Sequence, residues 1–141
     1  MRFVMLMHPD PRTAYAGPGV PDAESVAKMG VYNRALMDAG ALVSADGFHG
    51  PDRGARVRYA GGRATVSDGP FPESREILGG YWMIEVASKD EAVAWARRIP
   101  GADGDMVEVR QVFEMSDFPP DVRIAADNPT VRAQIEARTR P

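Results

Sequence analysis

The sequence has no cysteine. Disulfides, thiol nucleophiles and cysteine-based zinc or iron–sulfur centres all need that side chain, so all of them are excluded. Lysine is scarce as well, because only Lys28 and Lys89 occur among 17 basic residues. The formal net charge of −3 leaves no basic excess to contact phosphate groups, so we expect no nucleic-acid partner.

Long apolar runs are also missing. No stretch reaches the roughly 20 residues that a membrane-spanning helix requires. The apolar run at the start ends at His8, Pro9 and Asp10, which is too early for the apolar region of a signal peptide. We therefore expect a cytoplasmic protein with no membrane partner.

Motifs for metals and nucleotide cofactors are not found either. The two histidines, His8 and His49, lie far apart in the sequence, and neither an H-x-x-x-H nor an H-E-x-x-H spacing exists. The only close glycine pair before a helix, in the segment 17–19, lacks the G-x-G-x-x-G context. The sequence predicts that the protein uses no cofactor.

The length of 141 residues and the hydrophobic content of 44% fit one globular domain. Apolar periodicity and turn residues predict strand, helix, strand, hairpin, strand, helix and strand in that order. Their predicted ranges are 2–8, 22–39, 41–45, 56–67 around a Gly-Gly turn, 79–86, 88–99 and 106–115. This order is an α+β, ferredoxin-like βαββαβ pattern with an inserted hairpin. A loop is expected over 9–21, and a helical tail begins near Asn128.

Alternation along the last two strands predicts which side chains share a face. Trp82, Ile84 and Val86 belong to one face of their strand, and Tyr81, Met83 and Glu85 to the other. Val107, Val109 and Phe113 are expected on the helix-covered face of the last strand. Glu108 and Arg110 then belong to the opposite face, which is too apolar at residues such as Tyr81, Met83 and Met5 to stay in water.

One segment carries a specific resemblance. The run Asp68-Gly69-Pro70-Phe71-Pro72-Glu73, followed by Glu76, by Gly79-Gly80-Tyr81 and by Val107-Glu108-Val109-Arg110, resembles the signature of the DGPF-motif subgroup of YCII-related proteins. The similarity covers residues 1–116, which predicts a YCII-related domain over that range and a C-terminal extension with a short helix over 117–141.

The resemblance implies a homodimeric α+β barrel, in which two four-stranded sheets enclose a pocket. Related barrels include muconolactone isomerases, monooxygenases and dehalogenase-like enzymes, so the fold does not fix the chemistry. Other YCII-related proteins carry a His on the first helix and an Asp after the second. The matching places here hold Met29 and the Ile99-Pro100 region, so that dyad is not carried over.

Several side chains remain as candidates for a site. For ligand binding these are Asp68, Phe71 and Glu76 around the DGPF loop, and Tyr81, Glu85 and Arg110 on the strands. For acid–base catalysis they are His8 and Glu108, with His49 as a second histidine. Each has a structural alternative: Asp68 as a turn residue, Phe71 as a core anchor, Glu108 and Arg110 as a salt bridge, and the histidines as surface residues.

Two classes of function follow. The first is a homodimer that binds a small aromatic or acidic organic molecule between its sheets, with cofactor-free lyase, isomerase or dehalogenase-type proton transfer as its reaction if it is an enzyme. The second is a non-catalytic accessory or regulatory module, since some DGPF proteins are encoded beside alternative sigma factors. The residues leave open whether the protein is an enzyme.

Overall fold

The computed structural model describes residues 1–14, 20–71 and 76–139. Its strands are β1 (Arg2–His8), β2 (Leu42–Gly47), β3 (Ala55–Ala60), β4 (Arg63–Asp68), β5 (Gly80–Glu85) and β6 (Met106–Gln111). Its helices are α1 (Pro11–Ala14), α2 (Ala23–Asp38), α3 (Lys89–Ala96), α4 (Pro120–Ala126) and α5 (Pro129–Thr139). Short 3₁₀ turns occupy Pro51–Arg53 and Met115–Asp117.

Four strands form one antiparallel sheet in the order β2-β5-β1-β6. The strands β3 and β4 form a separate two-stranded hairpin, whose turn glycines Gly61 and Gly62 both have positive φ angles. Such angles are those of a tight hairpin turn, for which glycine is the natural residue. The α+β, ferredoxin-like prediction with its hairpin and helical tail is confirmed.

The hydrophobic core lies between one face of the sheet and the helices α2 and α3. Phe3 and Met5 of β1 and Ile84 of β5 are at most 2% exposed, and they pack against Leu36 of α2 and Ala92 of α3. Burying side chains of this size contributes about 1.5–3 kcal/mol each relative to leaving them exposed. Alternation along β1 and β5 therefore places every second residue in the core.

Local signals set the ends of the two core helices. Asp22 caps α2 by accepting a hydrogen bond of 2.7 Å from the Ser25 backbone N–H, and this bond holds the pKa of the Asp22 carboxyl below its usual range. At the other end Gly40 takes a φ of 68°, which ends the helix. The hydroxyl of Ser88 accepts from the Glu91 N–H at the start of α3, as the capping-box pattern predicts.

A buried acidic residue fixes the chain where β1 ends. The Asp10 side chain is 5% exposed, and its carboxylate forms an ion pair with the Arg12 guanidinium, with 2.6 Å between the nitrogen and the oxygen. These contacts with Arg12 lower the pKa of Asp10. The Asp10 backbone N–H donates to Asp105, and a Cβ at Gly104 would lie 2.2 Å from the Asp10 carboxylate. The loop before β6 is therefore held close to the end of β1.

Some predicted details are wrong. Phe113 lies beyond β6, is 71% exposed and stacks on Phe118 with 5.0 Å between ring centroids, so it is not on the helix-covered face. Met5 is fully buried in the core and does not belong to the other face. The expected loop over 9–21 contains α1, and the tail contains α4 in addition to the predicted helix.

Over the part of the chain that the structure describes, no helix is both long and apolar enough to cross a membrane.

Candidate functional site

Five candidate side chains share the face of the sheet opposite to α2 and α3, which we call the open face. Strand register defines it: Leu6 lies between Tyr81 and Glu108, and Val4 lies between Met83 and Arg110. Arg2 and Glu85 continue the pattern on β1 and β5. The centre of the open face is apolar and half-buried, and its margins are charged. The structure brings together these candidates: His8, Tyr81, Glu85, Glu108 and Arg110.

Glu108 and Arg110 lie next to each other at one margin of the open face. Their carboxylate and guanidinium are 3.8 Å apart, and their side chains are 47% and 67% exposed. An ion pair this exposed contributes at most about 1 kcal/mol to stability. Neither side chain lines any of the three cavities described below.

Tyr81 lies at the other margin, next to β2. Its hydroxyl donates to a carboxylate oxygen of Asp46 at 2.9 Å and lies 3.4 Å from the hydroxyl of Ser44. The Phe48 ring lies 6.1 Å from the Tyr81 ring. Neither Asp46 nor Phe48 was a candidate from the sequence. Tyr81 thus has an anionic hydrogen-bond acceptor already in place, whereas Glu85 is exposed at the far end of β5.

His8 ends β1 on the open face, opposite Met106. Its Nδ1 is buried and has no hydrogen-bond partner among the described residues. Glu108 is its diagonal neighbour across the β1–β6 pair, a placement that separates the residues by about 7–8 Å. His8 and Glu108 are therefore near neighbours on the open face.

The DGPF segment forms a different region. Asp68 is exposed at the end of β4, and a Cβ on Gly69 would lie 1.7 Å from the Pro51 carbonyl oxygen, so only glycine fits there. The Arg56 guanidinium lies 3.9 Å above the Phe71 ring. Residues 72–75, including the Glu73 of the motif, lie outside the described part of the chain.

A hollow of about 660 Å³ separates this segment from the loop that follows β2. Phe71, Glu76 and His49 line it, together with Arg56. The candidates Phe71 and Glu76 therefore meet His49 here, and they lie apart from the candidates of the open face. The described residues of the DGPF segment and the strand residues do not form a single site within one chain.

A third region was missed by the sequence analysis. A cleft of about 440 Å³ opens between α2 and the adjoining ends of β2 and β5, and we call it the α2 cleft. Met29, which the family resemblance aligns with a histidine, lines this cleft as an apolar side chain. The one sequence signal for the α2 cleft was Gly30, a glycine in the interior of a helix, where it costs about 1 kcal/mol relative to alanine.

The described residues form no cluster of metal ligands. Across 1–14, 20–71 and 76–139, no three His, Asp or Glu side chains converge as ligands of a metal ion would. Besides the hollow and the α2 cleft, a groove of about 550 Å³ lies between α3 and β6, with Ile99 and Asp105 among its lining residues.

Comparison with known proteins gives two results. An uncharacterised protein from Rhizobium meliloti (strain 1021) is 29% identical over 103 residues, which cover 73% of this chain and 83% of that protein. The model of the YCII-related domain family matches residues 1–116. That range contains β1 to β6, the open face, the DGPF segment and the α2 cleft. The chain therefore belongs to the YCII-related domain family.

Proposed function

We propose that this protein is a homodimer that binds a small, negatively charged or aromatic organic molecule between the open faces of two sheets. The observation that carries the proposal is the asymmetry of the sheet. One face is covered by α2 and α3, while Val4, Leu6, Tyr81 and Met83 on the other face stay half-exposed. An apolar sheet face of this kind is normally covered by another layer.

The second layer that we propose is another copy of the same face. Its charged residues are of both signs, because Arg2 and Arg110 accompany Asp46, Glu85 and Glu108. A two-fold axis can place unlike charges opposite each other on such a surface, which favours self-association. The described side chains of α4 and α5 are themselves exposed, so they leave this face available.

Within the dimer, Arg110 would bind an anionic group of the ligand, and the apolar centre would contact its hydrocarbon part. His8 and Glu108 are the groups that could move a proton to or from the bound molecule. A lyase, isomerase or dehalogenase-type reaction without a cofactor is the chemistry that this set supports. Assignment to the DGPF-motif subgroup is part of the same proposal and rests on the Asp68-Gly69-Pro70-Phe71 sequence.

The second candidate function is an accessory or regulatory module. It is favoured by the extension 117–141, where Val122, Ile124 and Val131 are 40%, 77% and 49% exposed. Exposed apolar side chains of this size suit a contact with another protein. In this alternative, residues 1–116 form the folded domain and 117–141 form the contact surface.

The dye 8-anilinonaphthalene-1-sulfonate tests the first proposal, because it combines a sulfonate with an aromatic body and fluoresces when its surroundings are apolar. We expect the dimer to bind it, and Arg110→Ala to weaken binding about tenfold, since a charge-assisted contact is lost. The melting temperature should stay nearly unchanged, because the ion pair is exposed.

Arg123→Ala is the matched control, because it removes the same charge from an exposed position on α4. It should leave dye binding unchanged. Equal weakening by both substitutions would mean that only net charge matters and would refute the role of Arg110. A dimer that binds no dye would refute the ligand site and favour the accessory module.

A further inference from the structure

Strand alternation decides which side chains face the α2 cleft. Ala45 of β2 is the register partner of Trp82 of β5, and both face α2. The next pair along the strands, Asp46 and Tyr81, points to the open face, where the two side chains are hydrogen-bonded to each other. Asp46 and Tyr81 therefore border the cleft through their main chain only, and its chemistry is set by other residues.

Three glycines leave the cleft unfilled. Gly47 and Gly80 are register partners on the helix-covered face of the sheet, and Gly30 lines the same space from α2. A Cβ on Gly80 would lie 2.7 Å from the Asp46 carbonyl oxygen, so that position requires glycine. A Cβ on Gly30 or Gly47 would have no heavy atom within 4 Å, and neither residue has a positive φ angle. What Gly30 and Gly47 provide is an empty volume of about 440 Å³.

The floor and walls of the α2 cleft are apolar. The floor is Trp82, which is held in place by the Tyr32 ring, edge-on with 5.8 Å between centroids. Val26 and Met29 line the cleft from α2, and Met7 lines it from β1. The volume falls within the size range of small-molecule sites. A bicyclic body can enter it and remove these side chains from water.

Asn33 on α2 supplies a hydrogen-bond donor to the cleft. Its Oδ1 accepts from the Trp82 indole N–H at 2.8 Å. Because an indole nitrogen can only donate, this bond fixes which end of the amide faces Trp82, and it leaves two N–H groups on Nδ2. Within the described part of the chain, Nδ2 has no hydrogen-bond partner. Asn33 lines the cleft, so it can donate to an acceptor bound there.

No charged side chain faces the α2 cleft among the described residues that line it. Asp46 is the one lining residue with a charge at neutral pH, and its carboxylate lies on the open face. A charged group moved from water into an apolar site without a partner of opposite sign loses a large solvation free energy. The cleft therefore favours uncharged molecules.

We propose that the α2 cleft is a second ligand site, which takes an uncharged small molecule with a flat apolar body and a carbonyl group. The body lies against Trp82, between Met29 and the sheet, and the carbonyl oxygen accepts from Asn33 Nδ2. Amines and carboxylates are rejected, because each would leave a charge without a partner. This ligand class differs from that of the proposed inter-sheet pocket, where Arg110 suits an anion, and the site needs no second subunit.

Four compounds with one bicyclic skeleton test the ligand class: 1-indanone, indane, 1-aminoindane and indane-1-carboxylate. They carry a carbonyl, no polar group, a cation and an anion. The readout is the indole N–H signal of each tryptophan in a ¹H–¹⁵N spectrum. The chain has two tryptophans, of which Trp82 lines the cleft and Trp95 does not, so Trp95 serves as an internal reference.

We expect 1-indanone to shift the Trp82 signal in a saturable way and to bind at least about tenfold more tightly than either charged compound. Indane should shift the same signal, since the apolar walls accept its body. A preference for 1-aminoindane or indane-1-carboxylate, or no saturable shift of Trp82 with 1-indanone, would overturn the proposal.

Asn33→Asp isolates the donor. It keeps an oxygen for the Trp82 N–H and replaces the donating nitrogen by a second carboxylate oxygen. We expect 1-indanone to bind about tenfold more weakly, 1-aminoindane to become the preferred compound, and indane to change by about twofold or less. Ala27→Asp is the matched control, because it adds the same charge at an exposed α2 position outside the cleft. An unchanged ranking in Asn33→Asp, or the same change in Ala27→Asp, would refute the role of Asn33.

Gly30→Leu tests the cavity itself. Leucine is a better helix former than glycine, so α2 should be retained while the side chain fills the cleft and abolishes the shift caused by 1-indanone. Ala27→Leu is the control for the added side chain and should leave binding unchanged. Gly47→Val fills the cleft from the strand side if Gly30→Leu disturbs folding. Binding of 1-indanone that persists unchanged in a folded Gly30→Leu or Gly47→Val variant would refute the site.

Discussion

The two faces of the sheet are built from the same strands by the same alternation, yet they end in different surroundings. On the helix-covered face, Met5 and Ile84 are completely buried. On the open face, their neighbours Val4 and Met83 are paired with each other and only half-buried. The strands carry apolar residues at the centre of both faces, but the described part of the chain supplies a covering layer for one face only.

Under the proposed function, this difference separates the residues that fold the chain from those that bind a partner or ligand. The helix-covered face holds the domain together through close packing of its own residues. The open face retains apolar residues that a purely solvent-exposed face would not need, and in the proposed dimer they contact the second subunit. Substitutions on the two faces should therefore affect different properties.

The largest expected effect is on the helix-covered face. Ile84→Ala should lower the free energy of unfolding by about 2–5 kcal/mol, because it removes a fully buried side chain and leaves a cavity. Met83→Ala, one residue away on the open face, should change the unfolding of the isolated chain by much less and should instead weaken the dimer. Urea denaturation at several protein concentrations measures both quantities.

The proposed difference between the two faces would be contradicted if the two substitutions had the same effect. Equal and concentration-independent losses of stability would mean that the open face is covered within the chain. A Met83→Ala variant with an unchanged dimer and unchanged stability would mean that the open face contributes to neither.

A smaller effect is expected from Tyr32, which is buried behind the helix-covered face and donates to the Trp95 carbonyl at 3.0 Å. Burial raises the pKa of Tyr32 to about 12 from 10.0. Because the folded state favours the protonated phenol, this contribution is complete below pH 10 and is lost as the pH rises towards 12. Tyr32→Phe should cost about 1 kcal/mol at neutral pH through the lost hydrogen bond.

Stability curves against pH measure the Tyr32 effect. The parent protein should lose stability above pH 10 more steeply than Tyr32→Phe, because the phenylalanine cannot ionise. Parallel curves for the two proteins would show that Tyr32 ionises as readily in the folded chain as in the unfolded one.

Much of the fold could be predicted because its signals are local. Asp22 and Ser88 cap their helices as the sequence indicates, and Gly61-Gly62 forms the hairpin turn. Phe113 was placed wrongly because alternation was extended past Gln111, where the strand ends and the ring finds Phe118 instead. The end of a strand depends on its neighbour strand, and alternation alone does not report it.

The candidate site was harder to predict because its parts come from distant segments. Alternation placed Glu108 and Arg110 on one face correctly, since this needs only the strand itself. The separation of Phe71 and Glu76 from the strand residues depends on where the loop after β2 lies, which no local pattern encodes. Asp46 and Asn33 were missed because they gain a role only through Tyr81 and Trp82, both far away in the sequence.

The most direct test of this view of the open face is the mass of the protein in solution. Sedimentation equilibrium at micromolar concentration should give about twice the 15.3 kDa of one chain, and Met83→Asp, which places a charge at the centre of the open face, should return the mass to that of one chain. A parent protein that sediments at 15.3 kDa over the whole concentration range would contradict the proposal that a second copy covers this face.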